Sequence, residues 1–353
     1  MLAEPMSPGR DEDEALELLR AVFRPGRPDR YADEYPIALA RENLAFRRVV
    51  RSGGRIVSHA AGLHSIQRAG PVEFRLGFIG SVATDPAFRG QGGAGEALRA
   101  TETSLADAGA VIAALWSGPD EARFYESRGY AAAGREIRLT LPPAGDAGER
   151  ALVTRLRPDD LPAVRALHAG EPSLTLRSAE DEERLFAVPG THGFALREGG
   201  GALSAYAVVG RGADFPFHVH EWGGKDAAVE TLVRGVAALH RGRSITVLAP
   251  AFRAGLVARL VLAGAALEEH PLGLFKILRP DDLVSLANGV FESAGAPHRA
   301  SREGSWVRVA PESGGGPALR LAEPEWLRAV IGPDGRGLPA LPLPFFVWGM
   351  DSI

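Results

Sequence analysis

The chain has 353 residues, 45% of them apolar and 24% charged, with a net charge of −4 and a pI near 6.2, enough at about 150 residues per domain for two or three separate cores. That acidic balance lacks the basic excess with which nucleic-acid binders displace counterions, and no apolar run reaches the roughly 18 residues of a membrane span. Zero cysteines remove disulfides, thiolate zinc sites and cysteine nucleophiles together. The opening Met1-Leu2-Ala3-Glu4-Pro5 has neither the basic patch nor the apolar core of a signal peptide, so a cytoplasmic protein is expected, with no membrane or nucleic-acid partner.

In chain order, 45–50 reads as a strand, Ser52-Gly53-Gly54 as a tight turn, 56–63 as its hairpin partner and 76–84 as a third strand. Ala94, Ala97, Leu98, Thr101, Leu105 and Ala108 recur at helical spacing up to the stop signal Gly109. A short apolar strand at 111–116, a helix over 121–127 and a strand at 136–141 close this first set. The same order returns as a hairpin over 194–197 and 203–209, a strand at 217–222 and a helix marked by Val229, Leu232, Val233, Val236 and Leu239. Strands at 245–248 and 273–278, with a helix over 252–262 between them, complete that second set. Pro- and Gly-rich stretches at 141–146 and 311–317 punctuate the chain. The expectation is an α/β (α+β) protein with units at 1–145 and 150–280 and a small α+β domain at 281–353.

The stretch that carries chemistry is Val82-Ala83-Thr84-Asp85-Pro86-Ala87-Phe88-Arg89-Gly90-Gln91-Gly92-Gly93-Ala94-Gly95. A strand ends, a turn begins at Asp85-Pro86, and a Gly-rich loop opens a helix. Unobstructed backbone N–H groups at the positive end of a helix dipole, with Arg89 beside them, form a pyrophosphate site. Gly90, Gly92 and Gly95 also satisfy the G-x-G-x-x-G pattern of dinucleotide folds. Against that reading, a hairpin precedes the motif strand, five residues separate strand from loop, and the next strand ends Leu115-Trp116-Ser117-Gly118 without the acidic residue a ribose needs.

Read as R-x-x-G-x-A, Arg89 to Ala94 resembles the acetyl-CoA loop of the GNAT acetyltransferase superfamily. About thirty residues on, Arg123-Phe124-Tyr125-Glu126-Ser127-Arg128-Gly129-Tyr130 looks like that family's F-Y-x-x-x-G-F/Y segment. Pro119 departs from the pattern, standing where many members carry Asn. The resemblance implies acetyl-CoA as acyl donor and no metal. Gly80, Ser81, Val82 and Ala83 would pair with the pantetheine arm. Arg89, Gly90, Gln91, Gly92, Gly93, Ala94 and Gly95 would hold the pyrophosphate. Tyr125 would sit near the sulfur, where a phenol of ordinary pKa about 10 can protonate a departing thiolate. The strand at 76–84 has no internal carboxylate to serve as base, and Glu73 lies too near its start. In GNAT folds the connection holding Tyr31-Ala32-Asp33-Glu34-Tyr35 lines the acceptor side, so Asp33 and Glu34 suit a cationic amine; a solvated acidic loop fits the same residues.

The second set lacks the loop, reading Glu221-Trp222-Gly223-Gly224-Lys225-Asp226, with Asp226 expected as a helix N-cap opposing phosphate. His218-Val219-His220-Glu221 could be drawn as metal ligands on one strand face, but no third ligand is near, and an ordinary strand is the simpler reading. An active GNAT unit, a degenerate one and a small third domain together resemble the enhanced intracellular survival (Eis-like) acetyltransferase family. Its third domain is similar to sterol carrier proteins, and its members form hexamers, which carries a homo-oligomer as an expectation here. In that family the terminal carboxylate reaches the first active site as base, a role that would fall on Ile353. The apolar end Phe345-Phe346-Val347-Trp348 should dock, since each large side chain left in water forgoes roughly 1.5–3 kcal/mol. The implied function is N-acetylation of a primary amine on a small cationic molecule or a lysine side chain. The alternative is a CoA-binding sensor or scaffold with vestigial catalysis.

Overall fold

The computed structural model describes residues 2–26, 31–143, 152–240, 242–312 and 316–353. Over these the chain divides into two units: Met1–Ala133 with Gly273–Leu343 and Ser352–Ile353, and Gly134–Leu272 with Pro344–Asp351. This differs from the expected division at 145–150 and 280. The expected linker at 141–146 runs into residues 144–151, which lie outside the described residues, as do residues 313–315 of the second Gly-rich stretch.

The first unit begins with β1 (Ala3–Pro5), α1 (Arg10–Phe23) and α2 (Tyr31–Glu34), followed by β2 (Arg47–Ser52), β3 (Arg55–Ala69) and β4 (Val72–Thr84). Then come α3 (Gly93–Asp107), β5 (Ile112–Leu115), α4 (Pro119–Glu126) and β6 (Ala131–Ala133). α3 forms where the spacing places it: Ala97, Leu98, Thr101 and Leu105 bury one stripe, and Gly109, at φ +88°, ends the run. α1 buries Ala15, Leu18 and Leu19, and its start is closed by Glu12, whose carboxylate accepts from the Gly9 amide at 2.5 Å.

The next strand, β7 (Glu136–Leu141), belongs to the second unit, with β8 (Val153–Arg155), β9 (Ser173–Thr175), β10 (His192–Arg197), β11 (Leu203–Arg211), β12 (Asp214–Gly224), β13 (Ile245–Pro250) and β14 (Ala266–His270). Its helices are Leu161–Ala169, Ala179–Phe186, Asp226–Leu239 and Ala254–Leu262. The chain then returns to the first unit with β15 (Gly273–Ile277), the helix Pro280–Ser293, a three-stranded antiparallel sheet of β16 (His298–Glu303), β17 (Trp306–Pro311) and β18 (Leu319–Ala322), and the helix Glu323–Ile331.

The sheet orders correct one expectation. The first sheet runs β1-β2-β3-β4-β5-β15-β6 and the second β14-β7-β13-β12-β11-β10-β8. The strand expected to close the first unit, 136–141, is therefore in the second sheet. The strand at 273–278, expected to complete the second, is β15 and pairs with β5 and β6 in the first. Each carries buried apolar residues, Ile137, Leu139 and Leu141 in one case and Leu274 and Phe275 in the other. Backbone ladders are blind to side-chain identity, so either strand satisfies the same slot by pattern.

The two sheets repeat one scheme. Antiparallel hairpins lead to a single parallel pair, β4 with β5 in the first and β12 with β13 in the second. The apolar end docks as expected, within the second unit. Phe345, Phe346, Val347 and Trp348 are buried, and the indole of Trp348 meets that of Trp222 edge-on at 5.1 Å. Ser173 clamps the segment, its hydroxyl accepting from the Phe346 amide at 2.9 Å and its carbonyl accepting from the Trp348 indole at 2.8 Å.

Candidate active site

The site is organised by a bulge in β4. His59 stands opposite Ala83 and Ala61 opposite Gly80, so two steps on β3 match three on β4. The extra residue turns the strand at Ser81, whose φ of +52° is unusual for a residue with a side chain. Two buried side chains hold it there, one of them backed by a third. The Ser81 carbonyl accepts from His59 Nδ1 at 2.9 Å, and the Ser81 hydroxyl meets the Tyr31 hydroxyl at 2.9 Å. Because a carbonyl only accepts, His59 carries its proton on Nδ1 and offers Nε2 to Arg47, whose Nε lies 3.3 Å away. Burial, with the Arg47 charge beside it, pushes His59 down to about 3, so the ring is neutral. Burial also draws Arg47 down to about 10, and its Nη1 donates to the Leu39 carbonyl.

Just before the bulge, β4 loses its parallel partner. The register runs from Leu76 opposite Ile112 to Phe78 opposite Ala114 and stops there. The part of β4 from Ile79 to Thr84, which contains Gly80, Ser81, Val82 and Ala83, is thus free of β5. Ile353 lies at this stretch: a Cβ built on Gly80 would stand 2.5 Å from its backbone C and O atoms.

The loop between β4 and α3 is shaped by Asp85 and two glycines. Asp85 Oδ1 accepts from the Ala87 amide at 2.9 Å and its other oxygen pairs with Arg55, fixing the turn Pro86–Phe88. Gly90 and Gly92 take φ +76° and +85°, with nothing within 4 Å of where a Cβ would be, and Gly92 caps α3. Gly93 is required for contact, because a Cβ there would fall 2.4 Å from Ser58 Oγ. Arg89, Gly90, Gln91 and Gly92 are exposed, while Ala94 and Gly95 lie half-buried in the first turn of α3. The opening amides of α3 thus face an open, left-handed loop, which fits a diphosphate.

Tyr125 on α4 is buried in the cluster that contains Ile79, Leu98 and Leu115, residues around the parting of β4 from β5. Its ring meets Phe124 and Tyr130 edge-on at 4.9 and 5.8 Å, and its hydroxyl has no hydrogen-bond partner among the described residues. Burial, assisted by the Glu121 charge and opposed by Arg128, pushes the phenol up to about 12. It stays protonated throughout the physiological range.

On the other side of the bulge, Phe23 stacks on Tyr31 at 5.4 Å and Tyr35 meets Tyr31 at a tilt at 5.0 Å. Asp33 is exposed beside them. Glu34 is turned inward and forms an ion pair with Arg24, so of the two carboxylates expected to meet a cation one is already neutralised. Sequence reasoning missed His59, Arg47 and Arg128. Nothing local marks the first two, since their meaning depends on a bulge in the neighbouring strand. Arg128 stood within the aromatic segment unread.

In the second unit Asp226 is the first residue of its helix, not the N-cap, and makes no capping bond; Lys225 holds that position. The Asp226 carboxylate is instead gripped by Arg253 at 2.6 and 3.0 Å. His218 Nδ1 donates to the Pro216 carbonyl and His220 Nε2 to the Gly210 carbonyl, while Glu221 is forked by Arg177 at 3.0 and 2.6 Å. Among the described residues no group of three His, Asp or Glu side chains could hold a metal ion, and no helix is long and apolar enough to cross a membrane.

Residues 8–133 match the model of the acetyltransferase (GNAT) domain family. That segment is a GNAT domain, a class of N-acetyltransferase that uses acetyl-CoA. Beyond the segment, the fold of nearly the whole chain is similar to that of a conserved protein of unknown function from Enterococcus faecalis described as a probable N-acyltransferase, with 13% identity, a TM-score of 0.61, and 94% of this chain and 89% of that one covered. It is also similar to a GCN5-related N-acetyltransferase from Kribbella flavida (17%, 0.59, 92% and 83%) and to Eis1 from Mycobacterium abscessus (12%, 0.54, 90% and 84%). At such identities the likeness is one of fold. No curated protein sequence matches.

Proposed function

We propose that the first unit transfers an acetyl group from acetyl-CoA to a primary amine, on a small cationic molecule or a lysine side chain, by direct attack within a ternary complex. The observation that carries this reading is the combination in one unit of an open α3 N-terminus behind Gly90 and Gly92, a β4 edge freed beyond Phe78, and a protonated phenol at Tyr125 beside that parting. Acetyl-CoA supplies an acetyl thioester. The loop from Arg89 to Gly95 would hold its diphosphate, and β4 from Gly80 to Ala83 its pantetheine arm. The amine nitrogen forms the new N–C bond as the C–S bond breaks. Tyr125 gives its proton to the sulfur, and the ammonium proton leaves through water toward the Ile353 carboxyl. A carboxylate of ordinary pKa about 3.3–3.7 is a weak base, so its part is to orient the amine and accept the proton at one remove. Asp33, exposed beside the Tyr31 and Tyr35 rings, suits the acceptor's charge.

The test is to incubate the protein with acetyl-CoA and a panel of polyamines, aminoglycosides and lysine peptides while following thiol release. Amine-dependent release with mass addition of one acetyl group supports the proposal. Tight acetyl-CoA binding with no release for any amine overturns it in favour of a CoA-binding sensor.

A further inference from the structure

Among the described residues that line the groove along α3, the charged side chains cancel in pairs, with one exception. A groove of about 380 Å³ follows this face and is lined by Gly92, Gly95, Arg99, Glu102, Arg128 and Lys276, together with Glu96. Arg99 pairs with Glu96 at 2.6 Å and Lys276 with Glu102 at 2.6 Å. Among the described residues, Arg128 faces no carboxylate at salt-bridge distance. Its Nη1 donates to the Phe124 carbonyl at 2.7 Å and to Ser127 Oγ at 3.0 Å, and its guanidinium carbon lies 3.8 Å from the centre of the Phe124 ring. Held from behind in this way, it presents Nε and Nη2, which have no acceptor among the described residues. That edge is directed at Gly95: a Cβ there would be 2.9 Å from Nη2 and 3.2 Å from Nε.

A planar, permanently charged fork with two N–H groups unused, fixed beside the positive end of a helix, is matched to a phosphate. We propose that Arg128 grips a phosphate group of the coenzyme, and that residue 95 is glycine so that the guanidinium can lie against the first turn of α3. The inference rests on the reading that this unit takes acetyl-CoA. Coenzyme A offers two such groups, the diphosphate and the ribose 3′-phosphate, and the same chemistry recognises either.

Calorimetry of acetyl-CoA and of its 3′-dephospho form, on the wild type, Arg128→Gln and Gly95→Ala, separates the cases. Loss of one charge-assisted fork should weaken binding roughly 10- to 100-fold. If Arg128→Gln weakens acetyl-CoA but leaves the dephospho form unchanged, the residue holds the 3′-phosphate; equal weakening of both assigns it to the diphosphate. Gly95→Ala favours the helix intrinsically, so it should keep or raise the melting temperature while its methyl pushes the guanidinium aside and lowers affinity. A merely structural Arg128 would not produce that opposition. Wild-type affinity for both ligands in both variants overturns the proposal. A wild type that binds neither ligand overturns the acetyl-CoA reading as well.

Discussion

Gly80 and Ile353 meet backbone to backbone: a β-carbon added to Gly80 would lie 2.5 Å from both the C and O atoms of Ile353. No real Cβ tolerates that approach, so the two residues share the space only because one has no side chain. Gly80 stands immediately before the strained Ser81, on the part of β4 that β5 does not cover.

Gly80→Ala should therefore displace Ile353. If Ile353 orients the amine as proposed, kcat should fall about 10- to 100-fold, less than the roughly 10²–10⁴-fold of a lost direct acid or base because the carboxyl acts through water, while the thermal transition stays close to wild type. Residues added after Ile353 should act in the same direction. Wild-type kcat in both folded variants would remove Ile353 from the mechanism.

Tyr125→Phe should lower kcat by about 10²-fold or more with little change in acetyl-CoA affinity, because the proton is needed only as the thiolate leaves. Burial holds the phenol near 12, so the wild-type kcat profile should show no loss of its donor between pH 7 and 10. Single-turnover rates across that range decide the point, and an alkaline limb near pH 9 that vanishes in the Phe variant would contradict the assignment.

Arg89 is exposed at the mouth of the loop, so its charge can be reversed without disturbing the fold. Arg89→Glu sets a carboxylate beside the diphosphate and should weaken acetyl-CoA at least tenfold at low salt, with the difference shrinking as salt rises. Isothermal titration at two ionic strengths measures both effects.

His59 is buried and held down to about 3, against an ordinary value near 6.5. A depressed histidine keeps its stabilising contribution above the unfolded-state pKa. Below it the unfolded chain binds a proton that the folded chain refuses. Stability should fall as pH drops from 6.5 toward 3, with a slope from this one group of about 1.4 kcal/mol per pH unit. His59→Gln, which cannot titrate, should flatten that acid limb in urea unfolding by roughly one proton's worth. His220, buried in the second unit and lowered to about 4, contributes a separate limb that the variant leaves in place.

Arg177, largely buried in the second unit, forks Glu221 and also binds Asp351 at 2.7 and 2.8 Å. Burial alone would raise Glu221, but the Arg177 charge prevails and holds it below the ordinary carboxylate range. Arg177→Met should strand two buried carboxylates and cost about 3–5 kcal/mol. Adding Glu221→Gln and Asp351→Asn should recover part of that loss, and a melting temperature no higher in the triple variant than in the single one would exclude the charge account.

What the sequence by itself determined is what short-range chemistry dictates. The glycines at 90, 92 and 93, the helical stripe from Ala97 to Leu105, the hairpins and the Phe124-Tyr125 segment carry their meaning within a few residues, because left-handed backbone, helical periodicity and turn formation are local properties. The apolar end likewise foretold its own burial. Tertiary structure alone decided which sheet receives β7 and which β15, because each strand is buried and apolar and its ladder accepts any partner of the right pleat. The same holds for the bulge at Ser81, supported by His59 from β3 and Tyr31 from α2, and for the pairing of Glu34 with Arg24, which converted an expected ligand for an ammonium group into an internal ion pair. A charge is visible in a sequence; whether it faces solvent, a ligand or another side chain depends on residues far along the chain that folding brings beside it.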